Sequence, residues 1–169
     1  MPHCKFLNAC FLAAAIGLLA SQASAIEDLN DVLRETKWNR ILGTWVDEET
    51  RGAGLKLEYV WKIKNHVIEE TRTEKAIKGV SLIGLNAKTG KIFQMGADSD
   101  GGSYLSEWTT KTNGDAVIGV AFTSPDGQDG LLSLRQKLVG NDTMVITIEL
   151  PEPITIKMIR DKRKAPKNP

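Results

Sequence analysis

Residues 55–63 read LKLEYVWKI, and apolar or aromatic side chains occupy every second position of this segment. Successive side chains of a β-strand point to opposite faces, so the period of two predicts a strand that is buried on one face only. Asn65 and His66 follow as a turn, and residues 67–75 return as a second strand. The chain therefore contains at least one predicted β-hairpin.

The same period continues to residue 160. Further strands are predicted around Trp45 and at residues 79–88, 91–98, 103–111, 116–124, 130–139, 143–150 and 154–160. Turn-forming residues separate them, such as the Asn113-Gly114 pair that suits a tight hairpin. Only residues 26–40 have a helical pattern, with apolar side chains on one stripe. About ten short strands paired in sequence order predict an all-β barrel or sandwich with one short N-terminal helix.

The N-terminus has the three parts of a secretory signal peptide. Lys5 is the positive charge, residues 11–20 are apolar, and Ala23-Ser24-Ala25 is a small-residue cleavage site. The apolar run is shorter than the roughly 20 residues of a membrane-spanning helix. Cys10 lies in a lipoprotein-like box but precedes the apolar run, so we expect no lipid anchor. Residues 1–25 thus predict a secreted or periplasmic protein without a stable membrane anchor.

The expected exported chain has a barrel domain at residues 26–160 and a basic tail at residues 161–169. Both cysteines precede residue 26, so this domain has no disulfide. Lys5 is the only charged residue of the signal, which leaves 21 basic against 21 acidic residues. No net field favours nucleic acid, and we expect no nucleic-acid partner. The tail is expected to be solubilising, with anionic lipid as the alternative contact.

Two further features resemble the calycin signature of lipocalins and fatty-acid-binding proteins. Gly43-Thr44-Trp45 opens the first strand directly after the short helix, and Arg160 closes the last one. The resemblance implies that Trp45 packs across the closed end of a barrel with Arg160 over its indole, a favourable cation–π contact. It also implies that Gly43 lets the chain turn sharply into the barrel.

The chain is also similar to a group of secreted bacterial domains of uncharacterised role with a lipocalin-like barrel. The shared pattern is Ile-Leu-Gly-Thr-Trp at residues 41–45, Asp-Ser-Asp-Gly-Gly at residues 98–102, Trp108, and Arg160 at the last strand. The resemblance implies an all-β, antiparallel, up-and-down calycin-like barrel of about 8–10 strands. It carries little information about function, because one fold hosts many activities.

Metal and cofactor sites are not predicted. A related haem-binding barrel also begins with Gly-Thr-Trp but uses a histidine late in the chain, whereas the only histidine after residue 25 is His66. Asp98 begins a segment that resembles a calcium loop, but the twelfth position is Thr109 rather than an acid. We expect a hairpin loop there and no cofactor.

Large side chains on several predicted strands indicate the nature of the barrel interior. A barrel of this size either fills with side chains or holds one small ligand, and aromatic residues on several strands favour a ligand cavity. The side chains expected to face inward are Tyr59, Trp61, Phe93, Met95, Tyr104, Trp108 and Phe122.

Four charged residues, Glu70, Arg72, Glu107 and Arg135, lie within apolar-flanked strands. If they face inward they must be paired, because an unpaired buried charge costs several kcal/mol. The arginines of such a cluster would bind a ligand carboxylate. The alternative is that all four face solvent, since a shift of one residue exchanges the two faces of a strand.

The sequence therefore favours non-catalytic binding of a small, partly apolar molecule, and no protein partner can be named. The expected ligand-binding residues are Tyr59, Trp61, Arg72, Trp108 and Arg135.

Two other functions stay open. The first is a calycin-fold enzyme that uses Glu70 or Glu107 as an acid–base group. The second is a protein-interaction or inhibitor module that acts through the polar loops at residues 98–103 and 124–130.

Overall fold

A computed structural model describes residues 28–163 as two short helices followed by ten β-strands. The predicted signal peptide lies outside the described residues, and so does the predicted tail from residue 164 onward. The elements are helix α1 (Leu29–Glu35), a 3-10 helix (Trp38–Ile41), β1 (Gly43–Asp47), β2 (Leu55–Ile63), β3 (Val67–Glu74), β4 (Ile77–Asn86), β5 (Lys91–Asp98), β6 (Ser103–Thr110), β7 (Asp115–Thr123), β8 (Asp129–Val139), β9 (Thr143–Glu149) and β10 (Ile154–Arg160).

The strands form one closed barrel. Each strand pairs antiparallel with its neighbours in sequence, and β1 pairs with β10 to close the sheet, with Trp45 opposite Arg160. Closure leaves no strand edge unpaired, so every strand has two partners. The predicted all-β, antiparallel, up-and-down barrel with a short N-terminal helix is confirmed, with ten strands. This architecture is consistent with a calycin-like fold.

The predicted helix at residues 26–40 is two separate pieces. Asp28 caps α1, because its carboxylate accepts a hydrogen bond from the Asp31 amide at 2.9 Å. Lys37 has a left-handed backbone with a φ of 63°, which ends the first piece and starts the 3-10 helix in a new direction. Within residues 28–163 neither piece has the length and apolar character of a membrane-crossing helix. The buried side chains of the two pieces, which pack against the barrel, are Leu29, Leu33, Trp38 and Ile41.

Trp45 and Arg160 lie together at the helical end of the barrel. The guanidinium carbon of Arg160 is 4.3 Å from the Trp45 ring centroid. The same side chain donates to the carbonyl of Leu42 at 2.7 Å, and the Trp45 indole donates to that of Ile41 at 2.7 Å. At Gly43, where φ is 115°, a Cβ would lie 2.7 Å from an Arg160 nitrogen. Only glycine suits this backbone and leaves room for the Arg160 side chain. The contacts of Trp45 and Arg160 with each other and with the backbone close this end of the barrel.

The hydrophobic core occupies the closed half of the barrel. Trp38 packs edge-on against Trp108, with ring centroids 5.6 Å apart and planes at 79°. Buried side chains from most strands surround this pair, including Ile68, Ile83, Ile92, Ala116, Leu138, Met144 and Met158. The core therefore stabilises the helical end and leaves the interior near the other end free for a different use.

Candidate functional site

The other half of the barrel is hollow. A cavity of about 900 Å³ reaches from the middle of the barrel to the mouth, where the loops after β1, β3, β5 and β7 lie. Most of its wall is apolar, and its polar side chains are grouped mainly on β3, β5 and β6, with Gln136 on β8. The apolar wall consists of Leu57, Ile118, Val120, Phe122, Leu132, Leu134, Ile146, Ile148 and Ile156. An apolar cavity with a few grouped polar side chains is typical of a small-molecule site.

Two glycines on the inner face, Gly96 and Gly130, leave space for the rings of Tyr104 and Phe122. A Cβ at Gly96 would lie 2.9 Å from a ring carbon of Tyr104, and a Cβ at Gly130 would overlap the ring of Phe122. Each glycine is opposite the ring in the neighbouring strand. The two rings therefore extend over the adjacent strand along the wall.

Gln94 is the centre of the polar part of the wall. Its side-chain nitrogen lies 2.6 Å from Glu70 Oε2, 2.7 Å from Ser81 Oγ and 2.9 Å from the Tyr104 hydroxyl. Its side-chain oxygen accepts the Trp108 indole N–H at 3.1 Å. An indole can only donate, so this contact sets the orientation of the amide. We call these five residues the Gln94 cluster.

Three titratable side chains of this wall, Glu70, Tyr59 and Tyr104, have raised pKa values. Burial raises the pKa of Glu70, while the hydrogen bond from Gln94 and the charge of Arg72 offset part of that rise. Burial and the nearby Glu70 carboxylate raise the pKa of Tyr59 well above its ordinary value and that of Tyr104 to about 12. Both phenols are therefore protonated at neutral pH and available as hydrogen-bond donors.

Arg72 connects this wall to the mouth. Its guanidinium lies 3.2 Å from the Asp98 carboxylate, and Asp98 in turn accepts from the backbone amides of Asp100 and Gly102. Asp98 thus holds the 99–102 loop and pairs with the arginine. Gly79, opposite both residues, leaves room for the guanidinium, since a Cβ there would be 3.4 Å from Arg72 Nε.

Asp47 organises the other side of the mouth, and the sequence analysis did not select it. Its carboxylate accepts from the amide and hydroxyl of Thr50 at 2.7 and 2.6 Å, from the Gly52 amide at 3.1 Å and from the Leu55 amide at 2.8 Å. Burial alone would raise the pKa of Asp47, but these hydrogen bonds outweigh it and lower the pKa to about 2. The available signal was an Asp just before the turn-forming residues 48–54.

The structure places the five predicted ligand-binding residues in different surroundings. Tyr59 and Arg72 line the cavity. Trp108 is buried beneath the cavity wall, where it supports Gln94 and packs on Trp38. Trp61 is half-buried and packs against the core. Arg135 lies on the outer face, so the structure brings only two of the five together around the cavity.

For Arg135 and Glu107 the structure shows the solvent-facing alternative, so the predicted ligand-binding role of Arg135 has no support from its position. Arg135 is 59% exposed and pairs with Glu149 at 2.7 Å, and Glu107 is 61% exposed and pairs with Lys91 at 2.8 Å. Both lie one residue from an inward-facing position, because the inner faces of β6 and β8 carry Ser106 and Gln136 there. Solvation of the two charges explains why the uncharged neighbours face inward.

The structure corrects the inward orientation expected for Phe93 and Met95 on β5. The buried residues of that strand are Ile92 and Gln94, so Phe93 and Met95 point outward. The Phe93 ring lies over Gly84 on the neighbouring strand, where a Cβ would be 2.7 Å from it. The Phe93 ring therefore packs on the outer face of the sheet at Gly84 and not in the barrel interior.

Apart from Asp47, the buried inner-face polar residues that sequence reasoning missed are uncharged. Ser81, Gln94, Ser106 and Gln136 are each at most 6% exposed, and the last three line the cavity. Their only signal was a polar residue in phase with buried apolar neighbours, as for Gln94 two residues after Ile92.

Residues 28–163 contain no group of three or more His, Cys, Asp or Glu side chains placed to hold a metal ion. His66 is exposed at the β2–β3 turn. Lys162, in the described part of the predicted tail, pairs with Asp142 at 2.8 Å. No protein-family model and no curated protein matches the chain.

Proposed function

We propose that this chain is an exported, lipocalin-like protein that binds a small, partly apolar molecule in its barrel. The observation that carries the proposal is the open cavity of about 900 Å³. Pockets for small ligands measure roughly 300–1,000 Å³ and combine apolar walls with a few polar groups. The apolar wall and the Gln94 cluster supply both parts.

The distribution of side chains supports a cavity with a function. The closed half already contains the tryptophans and most buried aliphatic residues, so the barrel does not need a second core at its mouth. Polar groups on an interior wall cost stability unless they are paired. Glu70, Gln94 and Tyr104 meet this condition because they form one hydrogen-bonded group. They lie on the cavity wall, where they can contact a ligand.

Export supports the same reading. The predicted signal peptide at residues 1–25 would deliver the domain to the periplasm or the medium, where a barrel of this kind can carry or store a small molecule. The domain needs no disulfide there, because the closed end is held by packing and by the contacts of Arg160.

A matched pair of substitutions tests the proposal. Leu132 faces the cavity, whereas the preceding residue on the same strand, Leu131, is 85% exposed on the outer face. We expect the wild-type domain to bind the neutral dye N-phenyl-1-naphthylamine with a rise in its fluorescence. Leu132→Trp should weaken that binding by about tenfold or more, because the indole occupies cavity volume, and Leu131→Trp should not change it.

Two measurements decide the result. Thermal unfolding must show that both variants remain folded. Native mass spectrometry of the wild type then shows whether a small molecule copurifies with the protein. Equal dye binding by Leu132→Trp and Leu131→Trp, or no dye binding by the folded wild type, would refute a ligand cavity.

One observation favours a catalytic role as the second candidate. Glu70 is a buried carboxyl group with a raised pKa beside open space, which is the environment of many general acids and bases. Glu107 is on the surface and is no longer a candidate. An enzyme would convert a copurified or added ligand into a product of different mass. Glu70→Gln should abolish that conversion but retain dye binding, whereas a binding protein would return the ligand unchanged.

A further inference from the structure

The connections at the two ends of the barrel differ in charge. Those at the closed end contain three lysines and one acid, whereas those at the mouth contain five acids and two bases. The closed-end turns are residues 64–66, 87–90, 111–114 and 140–142, and the mouth connections are residues 48–54, 75–76, 99–102, 124–128 and 150–153. The barrel therefore has a basic end and an acidic end, although the formal net charge of the whole chain is only +1.

Four lysines at the closed end have no acidic partner. Lys64, Lys88 and Lys111 each lie in a different turn of the rim, and Lys37 lies where α1 meets the 3-10 helix. All four are exposed, and none of them forms an ion pair within residues 28–163. We call these four residues the closed-end lysines.

The acids of the closed end do not compensate this charge. Three of them already have a basic partner. These are Asp115, Asp142 and Asp161, which lie 3.7, 2.8 and 2.9 Å from Lys137, Lys162 and Arg163. In the described part of the chain, the helices and turns of this end then retain three acids on α1 against six bases without an ion pair. The acids are Asp28, Asp31 and Glu35, and the bases are Arg34, Arg40 and the closed-end lysines.

Apolar side chains are exposed among these charges. Ile63, the last residue of β2, is 56% exposed and directly precedes Lys64. Val139, at the closed end of β8, is 47% exposed. Lysines around exposed apolar side chains suit a lipid–water interface, because the charges reach the headgroups and the apolar groups reach the acyl boundary. A soluble polyanion would give Ile63 no apolar surroundings.

A bilayer also matches the arrangement of the charges. The turns lie around the rim of one barrel end, so an extended anionic surface contacts several lysines at once, and each contact adds to the affinity. The same surface repels the acidic connections of the mouth. The two ends together therefore favour a single orientation of the barrel on such a surface.

We infer that the closed end of the barrel docks on an anionic phospholipid bilayer, with the closed-end lysines and Ile63 at the headgroups and the cavity mouth facing away. The inference goes beyond the proposed function, because it concerns the end of the barrel opposite the cavity mouth. Attachment through surface charges is peripheral and sensitive to salt.

Cosedimentation with vesicles tests the docking. The protein purified after export is mixed at low salt with vesicles of phosphatidylcholine alone, or with vesicles that also contain about 30% phosphatidylglycerol. We expect binding to the anionic vesicles only. Release should follow at about 0.5 M NaCl, where the Debye length falls to about 4 Å.

Two triple variants of equal net charge locate the docking surface. The closed-end variant combines Lys64→Gln, Lys88→Gln and Lys111→Gln, and the mouth variant combines Arg51→Gln, Lys75→Gln and Lys78→Gln. All six positions are exposed, so both variants should keep the thermal midpoint of the wild type within about 3 °C. We expect the closed-end variant to bind anionic vesicles about 100-fold more weakly, and the mouth variant to stay within about twofold of the wild type.

A fluorescent label reports the orientation. Ile63 and Leu150 are apolar, 56% and 45% exposed, and lie at opposite ends of the barrel. Ile63→Cys and Leu150→Cys can each be labelled with acrylodan, whose emission moves to the blue in apolar surroundings. The native cysteines, Cys4 and Cys10, both lie in the predicted signal peptide. With anionic vesicles we expect a blue shift at position 63 and none at position 150.

The outcomes are distinct. Equal binding to neutral and anionic vesicles, equal loss of binding in the two triple variants, or a shift at position 150 without one at position 63 would each overturn the inference. Retention on heparin without vesicle binding would assign the closed end to a soluble polyanion and overturn it as well. Dye binding in the cavity is measured separately, so failure of the proposed function and failure of this inference are distinguishable.

Discussion

The carboxylate of Asp47 should make the stability of this domain depend on pH in the acid range. Asp47 is 6% exposed and accepts four hydrogen bonds from residues 50–55. These lower its pKa from 3.8 to about 2. At about 1.4 kcal/mol per pH unit, this difference corresponds to roughly 2 kcal/mol of folding stability.

The direction of the effect follows from the lowered pKa. Above the pKa of the unfolded chain, the folded state gains the full contribution of the ionised group. As the pH falls from about 4 through about 2, Asp47 takes up its proton in the folded state and the contribution is lost. Asp47→Asn lacks this charge, so it should be less stable than the wild type by about 2 kcal/mol at neutral pH, and the difference should shrink toward about pH 2.

Urea unfolding followed by tryptophan fluorescence measures the effect at neutral pH and at about pH 2.5. The matched control is Glu49→Gln, which removes one negative charge from an exposed position of the same loop. The reasoning is refuted if Asp47→Asn is destabilised equally at both pH values, or no more than Glu49→Gln at neutral pH.

Three further predictions concern the interior and the closed end. Burial raises the pKa of Glu70, so ionisation of this carboxyl group opposes folding. The stability that the protonated group allows is fully present below the pKa of the unfolded chain and is lost as the pH rises through the raised folded pKa. Glu70→Gln should therefore stabilise the domain at about pH 8 and change little at about pH 4 in urea unfolding. A larger gain at the acid pH would contradict this sign. Gly43→Ala should cost about 2–3 kcal/mol, because φ is 115° and the new Cβ would meet Arg160, whereas Gly119→Ala, with nothing within 4 Å, should be nearly neutral in thermal unfolding. Similar midpoints for the two would mean that the close approach at Gly43 is not restrictive. Arg160→Lys retains the charge but loses the planar group over Trp45 and most of its hydrogen bonds, for an expected loss of about 2 kcal/mol, while the exposed control Arg163→Lys should lose less than about 0.5 kcal/mol. Equal stability of these two variants would exclude Arg160 as a contributor to the closed end.

Local patterns in the chain were sufficient to predict the strands and their order. Alternation within residues 55–63 and a turn such as Asn113-Gly114 depend on neighbours a few residues apart, and short connections favour pairing in sequence order. The closure of β1 on β10 was expected only through the resemblance at Trp45 and Arg160. The helical segment was predicted as one piece because its apolar stripe does not reveal the left-handed residue Lys37.

The orientation of the polar strands could not be read from the chain. On β8, Arg135 and Gln136 are adjacent and both polar. The alternation of apolar and polar residues therefore does not tell which of the two faces inward. The barrel places the amide inside and the guanidinium in solvent because a buried charge costs far more than a buried amide. Which phase a strand adopts depends on the partners across the barrel, and these are distant in sequence.

The candidate site exists only in the closed barrel. Glu70, Ser81, Gln94 and Tyr104 come from four successive strands, and Gln94 is 24 positions from Glu70 and 10 from Tyr104. Alternation places each of them on a face, but the pairing register brings them to one point of the wall. Whether the interior is filled or hollow is likewise a property of all the side chains together, because it depends on the volume that ten strands enclose and on how much of it the inward residues occupy.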